Sequence, residues 1–415
     1  MPGGTQGKTA AQNGKAGVSP RVSLDVSRIN FRGTQQSLTL HTTFGLLERV
    51  ATLTFNNPQF LGDPDLTAAV SGGYSNVQNI TTFQSETLQG DFRVTQKYKK
   101  ADTFIYHFLY RRVAVNPDSL EISPNLIPQA SQPVTVGGPG ITYFHDTRDP
   151  SPVDAQRGQY YSAQEFLSST AFGAETDFNR LDMSYSSYYT FGTKKYTIAR
   201  NTRVGFENTF GVTSGNTEII GVVNCQGQLF FTNATCNPVP LPERMYAGGA
   251  TSHRGFGINL AGPRDLTTGY PVGGSAVVVN SVEFRMPPPT LPFVGNSVSF
   301  VLFHDMGNVF RYPSDMFTSI KNFRQPNQET CYNLPPKDTP PDQLVNETGT
   351  CNFNNYQHAI GLGARYKTPV GPIRLDFSWN LNPTVYPVLY DYTTNPPHVG
   401  RAGHFNFFFS IGQAF

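Results

Sequence analysis

Long segments of alternating apolar and polar residues are the feature that most limits how this chain can fold. In 372–381, every second residue from Ile373 onward is apolar and the residues between are polar. The same alternation recurs in 356–367 and again in 405–412. A side-chain period of two is typical of β-strands that have one apolar and one polar face. The sequence therefore predicts an all-β protein.

The predicted strands are long and numerous. Fifteen segments fit the pattern: 21–31, 35–45, 48–57, 65–77, 84–98, 101–114, 138–148, 158–170, 177–191, 196–211, 275–287, 298–310, 356–367, 372–381 and 405–412. Strands of soluble proteins usually have about five or six residues, whereas a tilted strand needs roughly 9–11 residues to cross a membrane. Their length thus favours membrane-spanning strands.

The connections between these strands differ in length in a regular way. Those at 115–137, 212–274, 312–355 and 384–403 are long, and others, such as 192–195 and 368–371, are short. Bacterial outer-membrane barrels combine short periplasmic turns with longer extracellular loops. We therefore predict a transmembrane antiparallel β-barrel over residues 21–415, preceded by a disordered tail at 1–20. A soluble protein with several sheets is the alternative.

Composition excludes other classes of protein. Only 14% of residues are charged and the net charge is +2, which removes the basic surface expected of a nucleic-acid-binding protein. No apolar stretch approaches the roughly 20 residues of a membrane-spanning helix. The polar segment 1–20 has no apolar core of a secretory signal. It is either a flexible tail or the interior of a longer protein.

The four cysteines fall in two of the long connections. Cys225 and Cys236 lie in 212–274, and Cys331 and Cys351 lie in 312–355. Four cysteines allow three pairings, but these positions favour Cys225–Cys236 and Cys331–Cys351 as local disulfides in an oxidising compartment. Four free thiols are the alternative. The cysteine spacing gives no CxxC motif, and we predict no metal site.

Several separated motifs occur together in one order. They are Arg254-Gly255-Phe256 in the longest connection, Glu283 in the following strand, Asp305 with Gly307 in the next, the upstream set Asp146, Arg148, Asp149 and Gly158, and a C-terminal strand with Phe407, Phe409, Ile411, Gly412 and Phe415. In order and spacing they resemble the BamA/TamA-type outer-membrane assembly and translocation barrels, which include two-partner secretion transporters. His253 departs from the family, which usually has an aliphatic residue there.

The resemblance implies a role for Arg254 inside the barrel. In the family the corresponding arginine bonds acidic residues that face the lumen. Alternation places Glu283 opposite Val282 and Phe284, and Asp305 opposite His304 and Met306, so both carboxylates are expected to face the lumen. The guanidinium fork matches carboxylates well. Gly255 would permit a tight turn and Phe256 would pack on the lumen wall. A solvated loop arginine is the alternative.

The family barrel has sixteen strands, one more than this sequence shows. Its members also carry periplasmic polypeptide-transport-associated domains before the barrel, and we expect these domains to be absent from this chain. The expectation is therefore a truncated sequence that lacks the signal peptide, those domains and the first strand. A short, barrel-only member whose first strand lies within 17–31 is the alternative.

The function implied by the resemblance is assembly of outer-membrane proteins. The protein would insert and fold precursor β-barrel proteins in the bacterial outer membrane, through a lateral seam between its first and last strands. Its partners would be outer-membrane lipid, the precursors, and periplasmic chaperones and accessory lipoproteins. No cofactor is expected, and without HExxH or GxSxG motifs we predict no enzyme activity.

Two further functions stay open at this stage. One is a TamA-like or two-partner-secretion translocation pore. The other is a passive outer-membrane channel, because alternation directs Arg365, Lys367, Arg374 and Asp376 into the lumen.

Overall fold

The structure is a computed structural model and is almost entirely β. It describes residues 21–31, 33–122, 127–152, 155–193, 196–210, 239–290, 297–334, 351–368, 372–389 and 397–411. The strands are β1 (Arg21–Phe31), β2 (Gln36–Gly45), β3 (Glu48–Pro58), β4 (Leu66–Ile80), β5 (Phe83–Lys97), β6 (Asp102–Val115), β7 (Val134–Asp146), β8 (Gly158–Ser168), β9 (Phe178–Phe191), β10 (Tyr196–Thr209), β11 (Ala276–Arg285), β12 (Val298–Phe310), β13 (Gln357–Tyr366), β14 (Ile373–Asn380), β15 (Val385–Val388), β16 (His398–Arg401) and β17 (Phe405–Ile411).

Fifteen of these strands form one antiparallel sheet in sequence order. It runs from β1 to β14 and ends with β17, and each strand pairs with the one before it. This confirms the predicted all-β fold, and each predicted strand corresponds to one strand of the sheet. β15 and β16 form a separate hairpin between β14 and β17. The sequence pattern did not predict this hairpin within the expected 384–403 loop.

One predicted boundary needs correction. The run Gly-Gly-Pro-Gly at 137–140 reads as a turn, yet β7 begins earlier, at Val134, so the connection expected at 115–137 is shorter. The reason is a close approach of two backbones. A Cβ on Gly138, whose φ is 154°, would collide with the carbonyl oxygen of Leu167. The glycines here allow neighbouring strands to meet and do not end the strand.

The outer face of the sheet carries a belt of exposed apolar side chains. It includes Leu40, Leu53, Val70, Leu88, Phe92, Ile141, Ile198, Leu302, Leu362, Phe377, Phe405 and Phe407. A continuous apolar surface of this extent is unusual for a protein in water and is what a membrane-spanning barrel presents to lipid. No helix in the described ranges is both long and apolar enough to span a bilayer.

The inner face is covered by part of the β10–β11 connection. We call its described segment, 239–275, the inner loop. Met245, Ala247 and Phe256 of the inner loop form a buried cluster with Val277 and Val279 of β11. Because side chains alternate along β11, this contact fixes which face of the strand points inward.

A second connection is closed by a disulfide. Cys331 and Cys351 are bonded, and their sulfurs lie in a buried cluster with Val385, Tyr386 and Val388 of the β15–β16 hairpin. This is one of the two suggested pairs. The other, Cys225–Cys236, lies outside the described residues, as does segment 1–20.

Candidate anchoring site of the inner loop

Arg254 lies at the centre of a buried ionic cluster. Its Nε and Nη2 donate to the two carboxylate oxygens of Asp305 at 2.8 Å each. Its backbone N–H also donates to Asp305, at 2.9 Å. Its Nη1 donates to Glu283 at 2.7 Å. The guanidinium therefore makes a bidentate bond to Asp305, and its remaining nitrogen, Nη1, bonds to a second carboxylate. The planar guanidinium with its several donors is suited to this geometry.

The strand register places the acceptors within reach of one guanidinium. Ser281 of β11 pairs directly with Asp305 of β12. Glu283 lies two residues along β11 and so on the same face. The Ser281 hydroxyl accepts a bond from Arg254 at 2.9 Å and donates to Asp305 at 2.6 Å. The alternating sequence thus brings together the residues that were predicted to meet.

Neighbouring strands extend the cluster. Asp376 of β14 accepts from Arg365 at 2.6 Å and from Arg374 at 2.7 Å. Arg365 also reaches Glu283 at 3.2 Å, and Arg285 donates to Glu283 at 2.9 Å. Four guanidiniums, counting Arg254, therefore surround three carboxylates.

These additional partners change one interpretation of the sequence. Arg365, Arg374 and Asp376 were considered as water-filled channel lining. These three face inward, but all are buried, and both arginines bind Asp376 below the inner loop. Lys367, the fourth residue considered, is exposed. The alternation of β13 and β14 predicted the face on which the two arginines and Asp376 lie, but the sequence held no signal that the inner loop would cover them.

The backbone of the motif is tied to the last two strands of the sheet. The Gly255 carbonyl accepts from Asn380 of β14 at 2.9 Å and from Asn406 of β17 at 3.0 Å. The Ser378 hydroxyl donates to the Arg254 carbonyl. The inner loop therefore connects β11 and β12 to β14 and β17. Sequence reasoning did not identify Asn380 or Asn406, whose partners are more than a hundred residues away.

Aromatic contacts complete the surroundings of Arg254. Its guanidinium carbon lies 3.5 Å from the centre of the Phe303 ring, a cation–π arrangement that is strengthened when water is excluded. Phe256 is only 2% exposed and packs against the wall formed by β11 and β12, as the motif implied.

His253, where the sequence departs from the family, is part of the same structure. Its Nε2 donates to the Gln357 carbonyl at 3.0 Å, and its Nδ1 accepts from the Gly255 N–H at 3.1 Å. The bond from Gly255 requires the neutral ring, because a protonated Nδ1 would point a hydrogen at another donor. Burial lowers the pKa of His253, consistent with that form.

The charge of Arg254 is favoured by its surroundings. Burial alone disfavours a charged guanidinium, but the adjacent carboxylates of Asp305 and Glu283 outweigh it, so the pKa of Arg254 lies above its usual range. Arg254 is 1% exposed and both carboxylates are 0% exposed. Removing one member of such a set leaves buried charge without a partner, which is strongly destabilising.

A second ionic contact holds the other end of the inner loop. Glu243 binds Arg111 of β6 and accepts from Arg180 of β9 at 3.2 Å. Arg180 also reaches Glu207 of β10 at 2.5 Å. A polar cavity of about 450 Å³ lies beside this contact. Glu243 gave no signal in the sequence, because its partners come from distant strands.

The upstream motif forms a separate structure. Asp146 accepts from Arg148 at 2.9 and 2.7 Å, and Asp149 pairs with Arg157 at 2.5 Å. Gly158 begins β8. These residues close the β7–β8 connection. The structure does not place them beside Arg254, although Arg285 of the cluster donates to the carbonyl of Ala155 in that connection at 3.4 Å.

The other predicted site residues lie in the strands. Gly307 has a φ of 155° in β12, where a Cβ would collide with the Val278 carbonyl oxygen. Phe407 and Phe409 of β17 are 45% and 61% exposed on the outer face. Ile411 pairs in register with Ile373. Gly412 and Phe415 lie outside the described residues.

A profile of the Omp85 superfamily domain matches residues 30–415. The structure is similar to BamA from Haemophilus ducreyi lacking POTRA domains 1–3, with a TM-score of 0.64 and 14% identity, over 95% of this chain and 67% of that chain.

Two further solved structures are less similar. CdiB from Acinetobacter baumannii has a TM-score of 0.45 and 12% identity, over 88% of this chain and 53% of that chain. CdiB from Escherichia coli has the same score and identity, over 96% and 59%. No curated protein matches the sequence.

Proposed function

Since the chain belongs to the Omp85 superfamily and is an outer-membrane β-barrel protein, we propose that it inserts and folds precursor β-barrel proteins in the bacterial outer membrane. The route is the lateral seam between the first and last strands of the sheet. We further propose that the protein acts without enzyme chemistry, and that periplasmic chaperones and accessory lipoproteins deliver the precursors.

The observation that carries this proposal is the attachment of the inner loop to the last strand. Arg254 is held by β11 and β12, while the adjacent Gly255 carbonyl is held by Asn406 of β17. The loop tip is therefore a brace between the fixed wall of the barrel and a strand at the end of the sheet. Such a brace supports a mechanism in which β17 keeps its position while its outer edge changes partner.

The sheet ends support the same mechanism. β1 and β17 are the two terminal strands of the fifteen-stranded sheet, and within the described residues β17 pairs with β14 through seven residue pairs. A strand edge is a template for another strand. In lipid every backbone hydrogen-bonding group needs a partner, so a precursor strand that adds to this edge would be stabilised as it enters the membrane.

Translocation of a polypeptide through the lumen is the second candidate. It is favoured by the water-exposed inner face of β1 and β2, where the Asp25 and His41 side chains are 63% and 43% exposed. A passage on that side would leave the inner loop in place. A passive channel would use the same passage for small solutes. Single-channel conductance would distinguish a steady open pore from a gated one.

The experiment is assembly of an unfolded β-barrel precursor in vesicles that contain the purified protein. Arg254→Ala should slow precursor folding by about tenfold or more, because the brace loses its buried ion pairs. Arg254→Lys keeps the charge but not the planar fork of the guanidinium. Its rate of precursor folding should lie between those of the wild type and Arg254→Ala.

The matched control is Arg203→Ala. Arg203 forms an ion pair with Asp182 at 2.6 Å, but the pair is 35% and 26% exposed and does not involve the inner loop. Normal assembly by folded Arg254→Ala protein would refute the proposed mechanism. Equal losses in both arginine variants would assign the effect to general stability.

A further inference from the structure

The chain that follows β12 turns back over the outside of the sheet. A short helix, Pro313–Thr318, continues into a single 3₁₀ turn, Ser319–Lys321. We call residues 313–324 the outer segment. Its Met316 is buried in a cluster with Ala276, Phe310 and Tyr356, against which Val204, Phe206, Val278 and Met306 also pack.

The strand residues under Met316 belong to the outer face. Val277 and Val279 of β11 contact the inner loop, so Val278 between them points to the opposite side. The same holds for β12, where Val309 joins the inner cluster and Phe310 joins the cluster of Met316. The outer segment therefore lies against the wall on the side that faces the membrane.

Hydrogen bonds fix the outer segment in this position. The Tyr356 hydroxyl donates to the Met316 carbonyl at 2.9 Å. The Tyr356 backbone N–H donates to the Asn322 carbonyl at 3.0 Å, and the Asn382 side chain donates to the Phe323 carbonyl. The backbone of the outer segment is thus held against the sheet.

Three large apolar side chains on the outer segment remain uncovered. Phe317, Ile320 and Phe323 are 67%, 65% and 47% exposed. Phe317 and Ile320 lie three residues apart within the short helical turns and therefore on one side of them. Phe323 follows the last turn by two residues. Exposed Lys321 and Arg324 lie beside them. This is the arrangement of an interfacial segment, with an apolar side for acyl chains and basic groups for lipid headgroups.

The apolar side chains are continuous with the lipid-facing belt. The Phe323 ring lies 5.1 Å from the imidazole of His358. His358 is an outer-face residue of β13, and the next outer-face residues of that strand are Ile360 and Leu362 of the belt. A surface that joins the lipid belt through the ring of His358 is most simply covered by the same lipid.

We propose that the outer segment lies in the outer leaflet of the membrane, with Phe317, Ile320 and Phe323 among the acyl chains. Long connections of outer-membrane barrels face the cell surface, which places this one at the outer leaflet. The partner is lipid, and the proposal does not depend on which client the barrel serves.

The test uses tryptophan fluorescence in vesicles. The sequence has one tryptophan, Trp379, which itself faces lipid, so Trp379→Phe provides the background. Phe317→Trp is added there, and the protein is reconstituted into phosphatidylcholine with or without bromine on the acyl chains near the headgroup. We expect the brominated lipid to lower emission by about half or more, because an interfacial side chain reaches the acyl chains.

The matched control is Glu329→Trp in the same background. Glu329 is an exposed residue of the same connection, in the turn Gln328–Tyr332, and brominated lipid should change its emission little. Ile320→Trp repeats the test if Phe317→Trp fails to fold, as judged by heat-dependent gel mobility.

Two results would overturn the proposal. One is equal and weak bromine quenching of F317W and E329W, with F317W open to iodide in water. The other is F317W shielded from both bromine and iodide, which would mean that a second copy or another protein covers the patch.

Discussion

Two regions of the inner face use the same type of polar pair under different conditions. On β1 and β2, Asp25 accepts from His41 at 2.6 Å with both side chains open to water. On β11 and β12, Glu283 and Asp305 bind Arg254 at 2.7 and 2.8 Å with almost no exposure. The strand pattern is similar in both places. The difference is the inner loop, which covers the region on β11 and β12 and leaves the region on β1 and β2 exposed to water.

Burial by the inner loop determines how much each ion pair contributes to the stability of the fold. An exposed ion pair is screened by water and adds little to stability. A buried charge that loses its partner is costly, because no water replaces the lost bonds. The C-terminal side of the barrel is therefore a rigid wall against which the loop is locked, while the N-terminal side is free to change its contacts.

The largest effect is expected from Arg254→Ala. Among the described residues, Asp305 would keep Ser281 alone as a side-chain partner, and Glu283 would lose its shortest bond. We expect a loss of about 3–5 kcal/mol in the free energy of unfolding, measured by urea titration in detergent micelles.

A double substitution distinguishes the cause. Arg254→Ala with Asp305→Asn should cost less than the sum of the two single changes, because the second change removes the charge that the first leaves unpaired. Strict additivity would show that the two groups do not interact as the geometry indicates.

The sequence predicted the strands of this site better than its loop. Alternation gave the inward direction of Glu283, Asp305 and Asp376, since a period of two leaves no freedom once one face is assigned. The partners of the inner loop were different. Pairing of Glu243 with Arg111, or of Gly255 with Asn406, joins residues more than a hundred positions apart, and such contacts leave no local pattern.

On the outer face, too, the sequence predicted the strands but not the segments between them. Exposed apolar residues on strands were predicted, because they alternate. The outer segment was not, because its apolar residues recur every third position over too short a stretch to be distinguished from a loop. The β15–β16 hairpin was missed for a similar reason, because each strand has only four residues.

The next largest effect is expected from Gly307→Ala in the rigid wall. Its φ of 155° is strained for alanine, and the new Cβ would collide with the Val278 carbonyl oxygen. We expect a loss of about 2–4 kcal/mol, measured by the same urea titration. Gly90→Ala in β5 is the control, since a Cβ there meets nothing within 4 Å. It should be neutral or stabilising by up to about 1 kcal/mol. Similar losses of unfolding free energy in Gly307→Ala and Gly90→Ala would contradict the contrast between the wall that includes β12 and the N-terminal side of the barrel.

Replacing Cys331 and Cys351 together by alanine should have a more local effect, and a smaller one on the stability of the strands. The disulfide closes a separation of 20 residues, for which the chain-entropy estimate is about 3 kcal/mol. The loss should appear as proteolysis of the β12–β13 and β14–β17 connections while the strands stay folded. Unfolding of the whole barrel at the same denaturant concentration as the loops would contradict this separation.

The neutral state of His253 predicts a pH dependence. Because its folded pKa is lowered, this contribution is complete above the unfolded pKa of about 6.5 and is lost as pH falls below it, by up to about 1.4 kcal/mol per pH unit. Urea titrations of the wild type and His253→Asn from pH 7.5 to 5 test this dependence. The stability difference should shrink with falling pH. A constant difference would mean that the imidazole does not titrate in this range.

The smallest effect is expected from Asp25→Ala in the wet region. The Asp25–His41 pair has good geometry, but its side chains are 63% and 43% exposed, so water replaces the lost bond. We expect a change below about 1 kcal/mol, and high salt should reduce it further. A loss as large as that of Arg254→Ala would mean that this face is covered in the membrane. The inner face of β1 and β2 would then be occupied by chain or by a partner, and the N-terminal side would be as fixed as the C-terminal side. A small loss instead keeps the two regions distinct and leaves β1 free to separate at the seam.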